Sequence, residues 1–168
     1  LVPRLKKCID RLQLPSGDWL TVEQWAFSGG NEPSVKLPTI RKALDAVSTK
    51  HPIVLLGNDG HHGAVNSHAL NLAADSTGNV VGLNQETLNK EFATFKELVG
   101  VDSSGDPNGM INEDARKLVN VPNLWGYPDI DLALYQKIGQ RLAASGITST
   151  MEASLKEHDI DLFAKWAK

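Results

Sequence analysis

The stretch HPIVLLGNDGHHGAVNSHAL (51–70) contains the most clearly marked strand of the chain and four of its five histidines, three of them within 61–68. Its four consecutive apolar residues, 53–56, lie between Pro52 and Gly57, and such a run is typical of a strand covered on both faces. A glycine-rich turn follows and leads into a helix predicted over about 66–74. Because the helix begins directly after the turn, the turn side chains and the first helical N–H groups converge on one place. This turn is therefore the first candidate for a binding site.

The remaining hydrophobic patterns predict further helices and strands around this stretch. Helices are expected over 3–13, after a cap at Thr39, over 86–99, 110–119 and 131–145, and at the C-terminal end of the sequence. Strands are expected over 19–27 and 147–153, and 100–109 is expected to be a polar loop. From about residue 120 onward, the order of helix, glycine turn, strand and helix is typical of α/β proteins. We find no internal repeat.

The composition indicates a folded chain without a nucleic-acid or membrane partner. Hydrophobic residues make up 41% and charged residues 22% of the 168 residues, which argues against disorder. The net charge is −3, and no basic patch suggests binding to phosphate backbones. No apolar run approaches the ~20 residues that span a bilayer. Cys8 is the single cysteine, which excludes an internal disulfide, and we expect a cytoplasmic protein.

The histidine-rich turn allows three interpretations from its residues alone. In the first, it is a substrate-facing lip on which His61 and Asn66 are hydrogen-bonding groups. In the second, Asp59 and Asn66 only satisfy backbone groups of the turn and the helix cap. In the third, His61, His62 and His68 hold a metal in an independent small metalloprotein. The sequence contains neither H-x-H nor H-E-x-x-H, the spacings typical of hydrolytic zinc sites.

The same stretch resembles a family signature. DGHHGAVNSHAL (59–70) is similar to the D-G-H-x-x-W-x-N-S-x-A-L signature of amidohydrolase family 3, which includes N-substituted formamide deformylase and exoenzyme-regulatory-protein-like hydrolases. The chain departs from this signature at Ala64, where the family has Trp and where an aromatic wall is therefore expected to be missing. Four further segments follow the family's order: GDWLTVEQW (17–25), LPTIRKALDAVSTKHPIVLL (37–56), GDPNGMINEDA (105–115) and LAASGITSTMEAS (142–154).

The resemblance implies a fold and a place within a larger enzyme. Enzymes of this family carry a metal-dependent (β/α)8 barrel whose first strand ends in an H-x-H pair. Against that pattern, residues 1–120 correspond to an α+β insertion, a small mixed sheet with flanking helices, and residues 121–168 to a helix–strand–helix piece of the barrel. The resemblance implies no catalytic residue and no metal ligand in this chain. A divalent metal, in the first place zinc, is expected in the remainder of the barrel.

The resemblance also implies a function. The chain is expected to be the substrate-pocket lid of a hydrolase that cleaves non-peptide carbon–nitrogen bonds, inactive by itself; the alternative is a non-catalytic binding or regulatory module derived from the family. Expected partners are the remaining barrel and a small amide-like substrate, and an exposed apolar surface of the barrel piece is expected to drive dimerisation. Glu113 matches the family's glutamate, although a helix-surface role fits it equally. The candidate substrate-binding residues are Asp59, His61, His62, Asn66, Ser67 and Glu152, of which the last is expected at the C-terminal end of a barrel strand.

Overall fold

The computed structural model describes residues 1–29, 34–122, 132–153 and 157–166. The chain divides into two compact units, Leu1–Leu124 and Trp125–Lys168. The change of pattern in the sequence predicts this boundary near residue 120. In the described segments, every helix is too short or too polar to cross a membrane.

The first unit is built on an open, five-stranded mixed sheet. Its strands are β1 (Leu20–Trp25), β2 (Ile53–Gly57), β3 (His62–Val65), β4 (Val99–Val101) and β5 (Pro107–Asn112). They lie in the order β1-β2-β3-β5-β4, and only β1 and β2 are parallel neighbours. The predicted α+β class, a small mixed sheet with flanking helices, is confirmed.

Short helices flank this sheet. They are α1 (Val2–Leu12), α2 (Ile40–Asp45), α3 (Ser67–Leu70) and α4 (Gln85–Asn89), with 3₁₀ segments over Ala93–Leu98 and Glu113–Val119. The Thr39 hydroxyl accepts a hydrogen bond from the Lys42 N–H at 3.2 Å, so the predicted cap of α2 is confirmed. The single helix predicted over 86–99 is wrong, because Lys90 leaves the helical region (φ −119°, ψ −89°) and ends α4.

Two apolar clusters cover the two faces of the sheet. Val54 of β2 packs with residues of α3 and α4, whereas Ile53 and Leu55 pack with residues of α1 and α2. Neighbouring side chains of a strand point to opposite faces, so β2 joins both clusters. Its predicted burial on both faces is confirmed.

Three of the five strands differ from the sequence prediction. β3 occupies part of the predicted glycine turn, and β4 and β5 form a hairpin across the predicted polar loop 100–109 and the start of the predicted helix 110–119. Close packing explains a glycine in β3, because a Cβ on Gly63 would lie 2.8 Å from the Ile111 carbonyl oxygen of β5. The helix predicted over 66–74 is also shorter, and α3 ends at Leu70.

Two turns of the first unit share one short sequence motif. DSTGNVVG (75–82) and DSSGDPNG (102–109) share the pattern D-S-[ST]-G-[ND]-x-x-G. In each turn, Oδ1 of the aspartate accepts hydrogen bonds from the N–H and hydroxyl two residues later and from the N–H four residues later. These bonds, led by the hydroxyls of Thr77 and Ser104, hold the pKa values of Asp75 and Asp102 below the usual range.

The second unit contains two helices, α5 (Leu132–Ala144) and α6 (Glu157–Trp166). The rings of Tyr135 and Phe163 meet edge to face, with their centroids 5.3 Å apart, and join the two helices. Gly146, with φ +81°, follows α5 as predicted. The strand predicted over 147–153 is wrong: among the described residues, no strand forms a β-ladder with this segment, and β-branched residues alone do not make a strand without a neighbouring strand.

Candidate functional site

The carboxyl ends of three strands bring a group of side chains together at one edge of the sheet. β1, β2 and β5 run in the same direction, because β3 is antiparallel to both β2 and β5. Main-chain bonds join these ends: the Asn58 N–H donates to the Trp25 carbonyl at 3.0 Å, and the Glu113 N–H donates to the His61 carbonyl at 2.9 Å. We call Phe27, Asp59, His61, His62 and Glu113 the strand-end cluster.

Asp59 organises the turn between β2 and β3. Its Oδ1 accepts the backbone N–H groups of His61 and His62 at 2.9 and 3.0 Å, and its Oδ2 lies 2.6 Å from His62 Nδ1. The backbone N–H groups of His62 and then His61, followed by the His62 side chain, hold the pKa of Asp59 far below its usual range. Gly57 leaves room for this arrangement, because a Cβ there would lie 2.5 Å from Asp59 Oδ1.

Glu113 forms the second carboxylate–histidine pair of the cluster. Its Oε1 lies 2.8 Å from His61 Nδ1, although the two residues are separated by 52 positions in the sequence. The backbone of Glu113 has φ +48°, a left-handed conformation that costs a non-glycine residue about 1 kcal/mol or more. Glu113 directly follows β5, and its carboxylate reaches His61 in the turn between β2 and β3.

Both imidazole rings stand at the surface. The side chains of His61 and His62 are 65% and 50% exposed, so a ligand can reach them from solvent. Each ring uses Nδ1 toward a carboxylate, and within the described part of the chain neither Nε2 atom has a hydrogen-bond partner. Phe27, itself packed on the core, lies beside His62 with the ring centroids 6.2 Å apart. The cluster therefore combines hydrogen-bonding groups with one apolar ring.

Asn66 lies in the interior, where it holds the fold together. Its side chain is 0% exposed, and it uses its full hydrogen-bonding capacity on backbone groups. Oδ1 accepts the N–H groups of Ile53 and Ala69, each at 3.0 Å, and Nδ2 donates to the carbonyls of Ser48 and His51 at 3.0 and 2.9 Å. The interpretation of Asn66 as a substrate-facing group is therefore wrong in this structure, and its interpretation as a cap is right.

Ser67, the first residue of α3, is bonded to α2 and not to the strand-end cluster. Its N–H and hydroxyl donate to the two carboxylate oxygens of Asp45 at 2.8 and 2.7 Å, which fixes α3 against α2. With Thr49 and His68 these residues line an open depression of about 400 Å³. Ser67 thus retains access to a ligand, but no described bond joins it to the predicted histidines.

Two other predicted features lie elsewhere. Ala64 is completely buried in the cluster of α1 and α2 residues, so this position lies in the core and does not line a pocket wall. Glu152 is exposed and lies in the second unit, in the segment that is not a strand. The predicted position of Glu152 at the end of a barrel strand is therefore wrong in this structure.

The described residues provide no ready-made metal centre. Among them, no group of three or more His, Cys, Asp and Glu side chains is placed to hold a metal ion. His61 and His62 point Nδ1 to different carboxylates, and His68 Nδ1 lies 3.2 Å from the Thr49 carbonyl. The three histidines therefore do not converge in the way the metalloprotein interpretation requires.

Comparisons of this chain with protein-family models, with curated proteins and with solved structures gave no match. The family resemblance thus depends on the sequence motifs themselves.

Proposed function

We propose that this chain is the substrate-pocket lid of a metal-dependent hydrolase of the amidohydrolase family 3 type, which cleaves carbon–nitrogen bonds other than peptide bonds. One observation carries the proposal: the motif segments meet at one exposed place. Asp59, His61 and His62 come from the DGHH segment and Glu113 from GDPNGMINEDA, and Phe27 follows the GDWLTVEQW strand. Polar residues from separate motifs that meet at the carboxyl ends of neighbouring strands are typical of a binding site.

In this proposal the chain supplies orientation and the remaining barrel supplies the metal. The described residues do not fit a divalent metal, so zinc or another divalent ion would be held by sequence outside this chain. The exposed imidazoles of His61 and His62 would hydrogen-bond an amide-like substrate, and their carboxylates would hold the rings in place. By itself the chain would not hydrolyse amides. We further propose a cytoplasmic location.

The test uses the complete protein that contains this chain, purified with its metal. Hydrolysis of a panel of N-acyl amines, N-formyl amines and cyclic ureides should be metal-dependent. Replacing both His61 and His62 by Ala should raise KM about tenfold or more, the factor that corresponds to about 1.4 kcal/mol of lost binding. His68→Ala is the matched control, because His68 lies outside the strand-end cluster, and it should leave KM unchanged.

Two outcomes would contradict the proposal. Metal-dependent hydrolysis by the 168-residue chain alone would show that this chain holds its own metal. Full activity in the double variant would show that the strand-end cluster does not contact substrate. A complete protein that binds the panel without hydrolysing it, and that has no H-x-H pair before this segment, would favour the alternative of a binding or regulatory module.

We also propose that the second unit mediates association, either with the remaining barrel or with a second copy. Its exposed large apolar side chains are Leu134, Ile138, Ile147, Met151, Ile160 and Trp166. Met151 has the largest exposed fraction of these side chains, 93%. Light scattering on the purified chain should give a dimer mass that falls to a monomer mass in Ile138→Glu. A monomer at all concentrations would contradict dimerisation.

A further inference from the structure

From the geometry around Asp59 we infer that the strand-end cluster fixes His62 as a hydrogen-bond acceptor at Nε2 and so selects ligands that donate an N–H group. Asp59 is the positioning residue in this scheme, and His62 is the residue that contacts the ligand. This inference rests on the proposed function, because it specifies which substrates the strand-end cluster would accept.

The first step concerns which nitrogen of His62 carries the proton. An ionised carboxylate accepts hydrogen bonds and cannot donate one. Asp59 Oδ2 lies 2.6 Å from His62 Nδ1, so Nδ1 carries the hydrogen and Nε2 of the neutral ring carries the lone pair. Within the described residues, Nε2 of His62 has no hydrogen-bond partner. In the neutral ring, the group offered to solvent is therefore an acceptor.

The second step explains why Asp59 cannot change its orientation. Oδ1 already receives two backbone N–H groups, those of His61 and His62. Because these two N–H groups hold Oδ1 in place, Oδ2 is the oxygen that faces the His62 ring. The Glu113 carboxylate differs, because its Oε1 has the single described bond to His61 and its side chain is 51% exposed. Asp59 is pinned at both oxygens, whereas Glu113 can rotate.

The third step identifies the ligand. An acceptor at Nε2 favours an N–H donor, and the Phe27 ring beside His62 favours an apolar or aromatic substituent next to that donor. Asp59 and Glu113 are both carboxylates, so the cluster also disfavours an anionic ligand. The chemistry that fits is a neutral aromatic compound with an amide-type N–H group.

Asp59→Asn tests the inference because it should move the hydrogen of the His62 ring from Nδ1 to Nε2 while the turn keeps its conformation. The two backbone N–H groups require the amide oxygen of Asn, so the amide NH₂ must face His62 Nδ1. Nδ1 then becomes the acceptor and Nε2 carries the hydrogen. Asp75→Asn is the matched control, because Asp75 Oδ1 also accepts two backbone N–H groups of a turn but lies outside the strand-end cluster.

The measurement has two parts on the same full chain. Imidazole ¹⁵N spectra at about pH 8.5, two units above the ordinary histidine pKa, report the tautomer of His62. Titration with N-methylbenzamide and with methyl benzoate compares two ligands of the same shape, of which the first alone has an N–H. The wild-type chain should show the Nδ1–H tautomer and bind the amide about fivefold to tenfold more tightly than the ester, the range of one net hydrogen bond. Asp59→Asn should show the Nε2–H tautomer and a ratio near one, and Asp75→Asn should behave as the wild type.

Several outcomes would overturn the inference. These are an Nε2–H or protonated ring in the wild type, an amide-to-ester ratio that Asp59→Asn leaves unchanged, and binding of neither ligand at His62. The proposed function has a separate readout: amide hydrolysis by the complete protein without N–H selectivity would refute this inference alone. N–H selectivity in the chain without hydrolysis by the complete protein would refute the proposed hydrolase alone.

Discussion

Asn66→Ala should destabilise the chain strongly, because Asn66 is the polar centre of the first unit's interior. The substitution leaves four backbone groups without their partner, those of Ile53, Ala69, Ser48 and His51. At a net value of about 1 kcal/mol for each buried hydrogen bond, the free energy of unfolding should fall by about 4 kcal/mol. That is a large part of the ~5–15 kcal/mol that stabilises an ordinary domain.

A second capping asparagine provides the matched control. Asn84 accepts the N–H groups of Glu86 and Thr87 at 2.9 and 3.0 Å, but it lies at the surface, where water replaces a lost partner. Asn84→Ala should cost about 1 kcal/mol. Urea unfolding followed by circular dichroism, with equal m values for the three proteins, gives both differences. Equal losses for Asn66→Ala and Asn84→Ala would refute the internal role of Asn66 and reopen its interpretation as a substrate-facing group.

Three further predictions concern the sheet and its turn. Gly63→Ala should cost about 1–3 kcal/mol in urea unfolding, because the new Cβ would press on the backbone of β5; an unchanged midpoint would contradict the close packing. Leu55→Ala, at a completely buried position of β2, should cost about 2–5 kcal/mol, whereas Val80→Ala at a 62% exposed position should change stability by less than about 0.5 kcal/mol. The folded-state pKa of Asp59 is lowered, so its stabilisation is complete above the unfolded pKa of about 4 and is lost as the pH falls through the folded pKa. The difference in urea midpoint between wild type and Asp59→Asn should therefore shrink below about pH 4, and a difference that stays constant with pH would contradict this assignment.

The sequence predicted the parts of the fold that depend on hydrophobic pattern and on caps. The apolar run of β2, the Thr39 cap and Gly146 after α5 each carry a local signal that the tertiary structure does not override. β3 was missed because glycine and histidine are poor strand formers, and its strand geometry comes from pairing with both β2 and β5. The hairpin of β4 and β5 was missed because its polar turn resembles a loop, although the repeated D-S-[ST]-G-[ND] pattern was a usable turn signal.

The candidate site was predictable in its location and not in its contacts. The cluster of histidines and glycines after a buried strand indicated the right turn, and Asp59, His61 and His62 lie there. Asn66 does not belong to this site, although it follows His62 by only four positions, because its side chain lies inside the core. Phe27 was missed, because its neighbour His62 is 35 positions away and only the pairing of β1 with β2 brings the two strand ends together.

The division between Asn66 and Asp59 suggests how one short stretch serves both stability and binding. Asn66 uses every donor and acceptor on the backbone, which fixes the loop before β2 and the start of α3. Asp59 uses Oδ1 to accept backbone N–H groups of the turn, and its Oδ2 faces the exposed ring of His62. A site needs such a pinned group because an imidazole that rotates freely presents donor and acceptor in turn. In the inference made above, the turn therefore presents the neutral ring of His62 as a rigid acceptor, held by a carboxylate that the backbone itself orients.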